Sequence, residues 1–156
     1  MKVTDILTEN FIIAELNSNQ KNEAINELLD LFKTDERVLD FEKMKESVLD
    51  REKIMSTGVG KGFAIPHGKT SEVKEILAAF GKSTNPIEYD SLDGKPVQLI
   101  FLLIGRENMV SAHIKLLSRI SRMMNKDEFR QSLVDAKTPN EILNYFKQEE
   151  ANYFDV

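Results

Sequence analysis

The sequence contains no cysteine. That single absence removes disulfide staples, thiolate nucleophiles and thiolate metal ligands from consideration. Histidine is almost absent too: in 156 residues only His67 and His113 carry an imidazole. A zinc site would need a third and usually a fourth ligand, and no close His/Asp/Glu cluster accompanies either one. No metal and no small cofactor is therefore expected. Long hydrophobic runs are missing as well. The longest, Leu99-Ile100-Phe101-Leu102-Leu103-Ile104, is far too short to span a bilayer as a helix. Met1-Lys2-Val3-Thr4-Asp5 leads into polar residues without a signal-like stretch. The expected location is the cytoplasm, with no direct membrane insertion. Positive charge is not in surplus either. A formal net charge of -5 argues against nucleic acid as the main partner, because a phosphate-backbone binder needs a basic face. No serine lies in a nucleophile-elbow pattern, so triad hydrolysis has no candidate.

What remains is an ordinary globular balance, 41% hydrophobic and 30% charged, long enough for one domain with a real core. A short helical turn is expected within residues 3–9, then an extended segment over Phe11–Leu16. Ala24, Ile25, Leu28, Leu29 and Phe32 recur at helical spacing, with Asn19 or Ser18 as the capping candidate. A second helix is expected from Phe41 to Ile54, with Phe41, Met44, Val48 and Met55 on one side. Phe63-Ala64-Ile65 and Ile76–Phe80 read as short strands, the second ending at Gly81. Val97–Ile104 reads as a central strand covered on both faces. Asn85-Pro86 and Asp93-Gly94 supply turns between them. Helical spacing returns in Val110, Ile114, Leu117, Ile120, Met123 and Met124, followed by Leu133 and Val134. A last helix is expected from Pro139 to about Gln148, with Thr138 capping and proline at the first helical position. Helices, then strands, then helices around one very hydrophobic strand indicate a single α/β layer sandwich. We divide the chain into a domain over 1–148 and a polar tail, 149–156, that carries two aromatics.

The chemistry concentrates at His67, which follows Gly58-Val59-Gly60-Lys61-Gly62-Phe63-Ala64-Ile65-Pro66. Proline fixes φ on one side of the imidazole, and Gly68 leaves the other side uncrowded. A histidine after proline is often a plain loop residue. Against that, the alternating glycines allow close backbone approach, and Thr57, Lys69, Thr70 and Ser71 are donors within sequence reach of a phosphate. The glycines do not form a dinucleotide fingerprint, since the spacing is wrong. Nor do they form a nucleotide P-loop, because no glycine stands at that loop's spacing ahead of Gly68-Lys69-Thr70. His113 has two readings. It is a partly buried core residue, or it stands with free N–H groups in the first turn of a helix facing an anion.

The segment Ser56–Lys69 resembles the phosphorylation site of the IIA components of the bacterial sugar phosphotransferase system, in the fructose–mannitol class that includes the nitrogen-regulatory paralogue. In that family the histidine after Ala-Ile-Pro or Ala-Val-Pro carries the phosphoryl group. Arg51-Glu52 falls where the family has an arginine near the site. His113-Ile114-Lys115-Leu116-Leu117 resembles its second histidine followed by leucines, and Thr138-Pro139-Asn140-Glu141-Ile142 resembles its final helix opening. The likeness covers about Met1 to Phe146. It implies a mixed five-stranded sheet flanked by helices. It also implies that His67 takes a phosphoryl group on its Nε2 (tele) nitrogen from HPr or its nitrogen-branch counterpart. His67 would pass the group to a cysteine of a IIB component, and through it to the membrane IIC permease. His113 would hydrogen-bond the phosphoryl oxygens or the reacting imidazole, and Arg51 would stabilise charge. Phe63 and Met109 are candidates for the rim that receives a partner, or else for the core. Gly105–Ala112 departs from the Gly/Asp-containing approach of many sugar-type members and assigns no substrate. Three functions follow as expectations: a phosphocarrier for sugar uptake, a nitrogen-regulatory phosphoprotein, or a binding module with a degenerate site.

Overall fold

Val97–Arg106 is the strand on which the rest of the molecule is hung, and its burial explains why. In the computed structural model, which describes residues 1–153, this strand is apolar on both faces. Leu99, Phe101 and Leu103 point into one core, while Ile100, Leu102 and Ile104 point into the other. Alternating side chains can serve two cores only when helices cover both sides of a sheet.

The chain begins with α1 (Val3–Ile6), a 3-10 turn and β1 (Ile12–Ile13), then α2 (Lys21–Leu29), a further 3-10 turn and α3 (Phe41–Ile54). The strands β2 (Gly58–Gly60), β3 (Phe63–Ala64), β4 (His67–Thr70), β5 (Leu77–Ile87) and β6 (Val97–Arg106) follow. The helices α4 (Val110–Met124), α5 (Asp127–Asp135) and α6 (Pro139–Tyr153) close the chain. The sheet is mixed: β1 is parallel to β5, β5 antiparallel to β6, β3 and β4 parallel to β6, and β2 antiparallel to β3. Helices α1, α4, α5 and α6 cover the face of Leu99, Phe101 and Leu103, and α2 and α3 cover the other.

The sheet has six strands rather than the five implied by resemblance. The extra one arises from a break. Phe63-Ala64 pairs with Leu99-Ile100 and His67–Thr70 with Leu103–Arg106, so β3 and β4 lie end to end along one edge of β6. Pro66 between them has no N–H to give the ladder, and Ile65 N–H turns away to the Thr57 carbonyl at 3.1 Å. The break places His67 at the start of a new strand rather than in the middle of an old one.

Other expectations shift for local reasons. Helix α3 has the expected bounds, with Asp40 accepting from Lys43 N–H as its cap, but Met55 lies beyond the helix and is exposed. Gln20, not Asn19, precedes α2, and the amide and hydroxyl of Ser18 donate instead to Glu27. Strand β5 passes through Gly81 and includes Asn85-Pro86, which makes no turn. The ladder with β6 shifts register between Lys82 and Ile87, so Pro86 sits where no pairing is needed. In α4 the inward face carries His113, Leu116 and Ile120, whereas Val110 and Ile114 are exposed. The stretch holding Leu133 and Val134 is a helix, α5, which buries Phe129 and Leu133 one turn apart.

Thr138 caps α6 as expected, its hydroxyl accepting from Glu141 N–H at 3.1 Å. The helix then runs past Gln148 to Tyr153. Glu150, in the expected tail, is buried and accepts from Val3 N–H at 2.5 Å, Thr4 N–H at 3.0 Å and the Thr4 hydroxyl at 2.7 Å. A carboxylate on the first amides of α1 ties the two chain ends together. Phe154–Val156 of that tail lie outside the described residues. Among the described residues no helix is long and apolar enough to cross a membrane.

Candidate functional site

His67 is half-buried, and its Nδ1 lies 2.8 Å from the carbonyl oxygen of Ile65. A carbonyl can only accept, so Nδ1 carries the proton and Nε2 keeps its lone pair. The backbone of the Ala64-Ile65-Pro66 break therefore selects the tautomer with a nucleophilic Nε2. Gly68 permits the close approach of α3 to β4: a Cβ there would fall 2.9 Å from Ser47 Oγ and 3.0 Å from the Ser47 backbone. One turn further along α3 stands Arg51, whose Nη1 donates to the Met55 carbonyl at 3.0 Å.

His113 reaches the same place from the other side of the sheet's end. It lies in the first turns of α4, 3% exposed, with its ring centroid 5.6 Å from that of His67 and the planes 52° apart. Gly105 on β6 makes room for it, since a Cβ at that position would overlap His113 Nδ1. Among the described residues, neither ring nitrogen of His113 has a protein hydrogen-bond partner. A buried imidazole with both nitrogens unpaired costs free energy in the resting fold, about 1–3 kcal/mol for a neutral polar group. The two readings of His113 thus merge: it is buried, and it is also unpartnered beside His67.

Burial disfavours the protonated form of both imidazoles. Burial pushes the His113 pKa down to about 4, with the neighbouring His67 and the Lys69 ammonium acting in the same direction. Burial also lowers that of His67, helped by the charges of Arg51 and Lys69, while the Ile65 carbonyl and the Glu52 carboxylate pull it back up. The consequence for stability has a definite sign. The folded His113 value lies below the ordinary 6.5, so between those two values the unfolded chain binds more protons and stability falls as pH drops. Over that window this group is expected to contribute a slope approaching about 1.4 kcal/mol per pH unit. Urea titrations from pH 7 to pH 4 check this: His113→Gln should have the shallower loss of stability, and equal slopes for both proteins would contradict the assignment.

The other sequence candidates fall in different places. Lys69 is exposed, but its charge reaches both rings. Thr57 is buried and engaged with Glu52, and the Thr70 hydroxyl accepts from Glu72 N–H at 3.1 Å. Phe63 is core, 5% exposed, and so is not part of a rim; Met109 is half-buried at the start of α4. Sequence reasoning missed Glu52 and Tyr89. Both are buried beneath the loop that leads to His67, with Lys21 Nζ 3.0 Å from Glu52. Only the adjacency of Glu52 to Arg51 could have drawn attention to it. Among the described residues no group of three or more His, Asp or Glu side chains could hold a metal ion.

A mixed sheet covered on both faces, with the Ala-Ile-Pro-His segment at a strand break and a second histidine on the following helix, is the arrangement of a IIA-type phosphotransferase domain. Residues 5–149 match the family described as phosphoenolpyruvate-dependent sugar phosphotransferase system, EIIA 2, and the chain belongs to that family as an EIIA-type phosphocarrier domain. It is 35% identical over 150 residues to the fructose-specific EIIABC component of Bacillus subtilis (strain 168), covering 96% of this chain. That match spans only 24% of the Bacillus protein's length. It is 36% identical over 137 residues to a nitrogen regulatory protein of Bradyrhizobium diazoefficiens, covering 85% of this chain and 86% of that one. The crystal structure of the nitrogen regulatory protein IIA-Ntr from Neisseria meningitidis superposes with a TM-score of 0.86 at 32% identity, covering 92% of this chain and 98% of that one.

Proposed function

We propose that this domain is a histidine phosphocarrier whose acceptor atom is Nε2 of His67, and that its phosphorylation state acts on other proteins, as in the nitrogen-regulatory branch. The observation that carries the first half is the hydrogen bond from His67 Nδ1 to Ile65, which leaves Nε2 as the free nucleophile. The donor is the phosphohistidine of HPr or of its nitrogen-branch counterpart. The Nε2 lone pair forms the new N–P bond, the donor's N–P bond breaks, and its electron pair returns to the donor imidazole. Charge spreads over the three equatorial oxygens of the moving group, and electrostatic stabilisation there is the main service a protein can offer. In this reading His113 and Arg51 give it. Neutral His67 is the competent form of the nucleophile, and burial keeps it so near neutral pH. A protein partner must reach this atom. Exposed Val110 and Ile114, on the helix that carries His113, and exposed Met55, whose carbonyl accepts from Arg51, are the apolar surface offered to that partner.

The regulatory reading is favoured by the close likeness to IIA-Ntr at 32% identity, against 20% for the mannitol IIA of Escherichia coli at a TM-score of 0.76. The transport reading has its own support in the fructose-specific relatives, the Bacillus component and an EIIA component of Haloferax volcanii that is 34% identical over 145 residues. In that reading a IIB thiolate attacks the phosphorus, an S–P bond replaces the N–P bond, and His67 is restored. A chase experiment separates them. Phosphorylated protein mixed with the cognate IIB domains should keep its phosphate on His67, while binding to a regulatory partner changes with phosphorylation. Rapid stoichiometric transfer to a IIB cysteine would establish the transport reading instead.

A further inference from the structure

Glu52 is an odd residue to bury. It lies 7% exposed near the end of α3, and its closest hydrogen bonds go to Thr57, on the loop that leads to His67. One carboxylate oxygen accepts from Thr57 N–H at 2.8 Å, and the other accepts from the Thr57 hydroxyl at 2.5 Å. The Tyr89 hydroxyl closes the cluster, 3.1 Å from Thr57 Oγ1 and 3.4 Å from Glu52 Oε1. Lys21 provides the counter-charge at 3.0 Å. A buried carboxylate persists only when its lone pairs are used, and here two of them fix one residue by both backbone and side chain.

That residue is in turn bonded to the catalytic segment. The Thr57 carbonyl accepts from Ile65 N–H at 3.1 Å, and the Ile65 carbonyl is the acceptor for His67 Nδ1 at 2.8 Å. Four partners therefore stand in series: the Glu52 carboxylate, the backbone of Thr57, the backbone of Ile65 and the His67 ring. Pro66 offers no N–H, so the Ile65–Pro66 peptide has only its carbonyl to bond with; on either side of it the Ile65 N–H is held by Thr57 and the Pro66 carbonyl accepts from Leu103 N–H at 3.0 Å. The orientation of the Ile65 carbonyl, and with it the His67 tautomer, depends on these two anchors, of which Thr57 is the one that Glu52 holds.

We infer that Glu52 is a positioning residue for phosphoryl transfer at His67, acting through Thr57 and the Ile65 carbonyl to keep the proton on Nδ1 and the lone pair on Nε2. The inference rests on the assignment of His67 as the acceptor. Its working part is geometric. A reacting atom displaced by about 1 Å can lose roughly a hundredfold in rate, and a proton moved to Nε2 removes the nucleophile altogether. Glu52 touches neither the incoming group nor the reacting nitrogen, so its loss slows the reaction without abolishing it.

The test pairs a rate with a spectroscopic reading of the ring. Glu52→Ala, Glu52→Gln and Thr57→Val are compared with the parent protein for phosphorylation rate by phospho-HPr. The nitrogen chemical shifts of His67 are recorded in the same proteins without any phosphoryl donor. Glu52→Ala is expected to slow phosphorylation by about ten- to a hundredfold, mainly in kcat, with the Nδ1–H population of His67 falling. Glu52→Gln keeps the shape and one acceptor, so it should recover most of the rate and the parent tautomer. Thr57→Val, which keeps the amide and loses only the hydroxyl, should fall between them and serves if Glu52→Ala does not fold. An unchanged His67 tautomer in folded Glu52→Ala, or in Thr57→Val where that protein is the one available, overturns the inference. So does a rate loss that merely tracks the unfolded fraction. Failure of the parent protein to take phosphate on His67 would instead defeat the underlying assignment, while the tautomer comparison would still decide whether Glu52 sets the ring.

Discussion

His67→Ala is expected to reduce phosphate incorporation to background, a loss of about a thousandfold or more in initial rate, when the protein is incubated with phosphoenolpyruvate, the general phosphotransferase enzyme and HPr. The expectation is large because nothing else can replace the imidazole. There is no cysteine in the chain, and the only other histidine is buried at 3% exposure, where a partner's phosphohistidine cannot reach it. Intact-mass spectrometry after a short incubation measures the result. The variant should remain folded, because His67 is half-buried and its ring bonds to the Ile65 carbonyl, which water can satisfy once the ring is gone. Labelling of the variant at the parent level would mean the acceptor is elsewhere.

His113→Ala is expected to behave differently. Phosphate should still reach His67, but transfer in either direction should slow by about a hundred- to a thousandfold, the usual cost of deleting one donor aimed at developing charge. Among the described residues no group hydrogen-bonds to the His113 ring, so its value lies in what it meets when a phosphoryl group arrives. Its neutral state near pH 7 suits that role, with one nitrogen donating and no positive charge to trap the phosphorylated state. Quench-flow measurement of uptake from phospho-HPr, and of return to unphosphorylated HPr, provides both directions. Equal transfer rates in the variant and parent would show that the unpaired ring is a packing residue only. A slowed rate with parental thermal stability would place its contribution in the transition state.

His67 was legible in the sequence as the candidate acceptor because its surroundings are local. Pro66, Gly68 and the short apolar run before them act on adjacent residues, and those effects survive without knowledge of the fold. The bounds of α3 and the two-sided burial of β6 were legible for the same reason, through the helical spacing of Phe41, Met44 and Val48 and through an apolar run. What escaped depends on distant chain. The inward face of α4 is displaced from the apolar stripe of Val110 and Ile114, because the His113 ring seats over Gly105, eight positions back in the sequence and on another element. Asn85-Pro86 has the composition of a turn, and only the register shift between β5 and β6 makes it strand. Glu52 looked like one more acid on a charged helix. Its burial is produced by Thr57, Tyr89 and Lys21, which converge on it from three separate segments.

The account turns on one atom, Nε2 of His67, kept free by the hydrogen bond at Nδ1. Long-range nitrogen–proton correlation and phosphorus–nitrogen coupling, recorded on uniformly nitrogen-15-labelled protein after phosphorylation by phospho-HPr, identify the modified atom directly. The account predicts phosphorus coupled to Nε2 of His67, with Nδ1 still bearing its proton. Phosphorus on Nδ1 of His67, on His113, or on any other residue would contradict it.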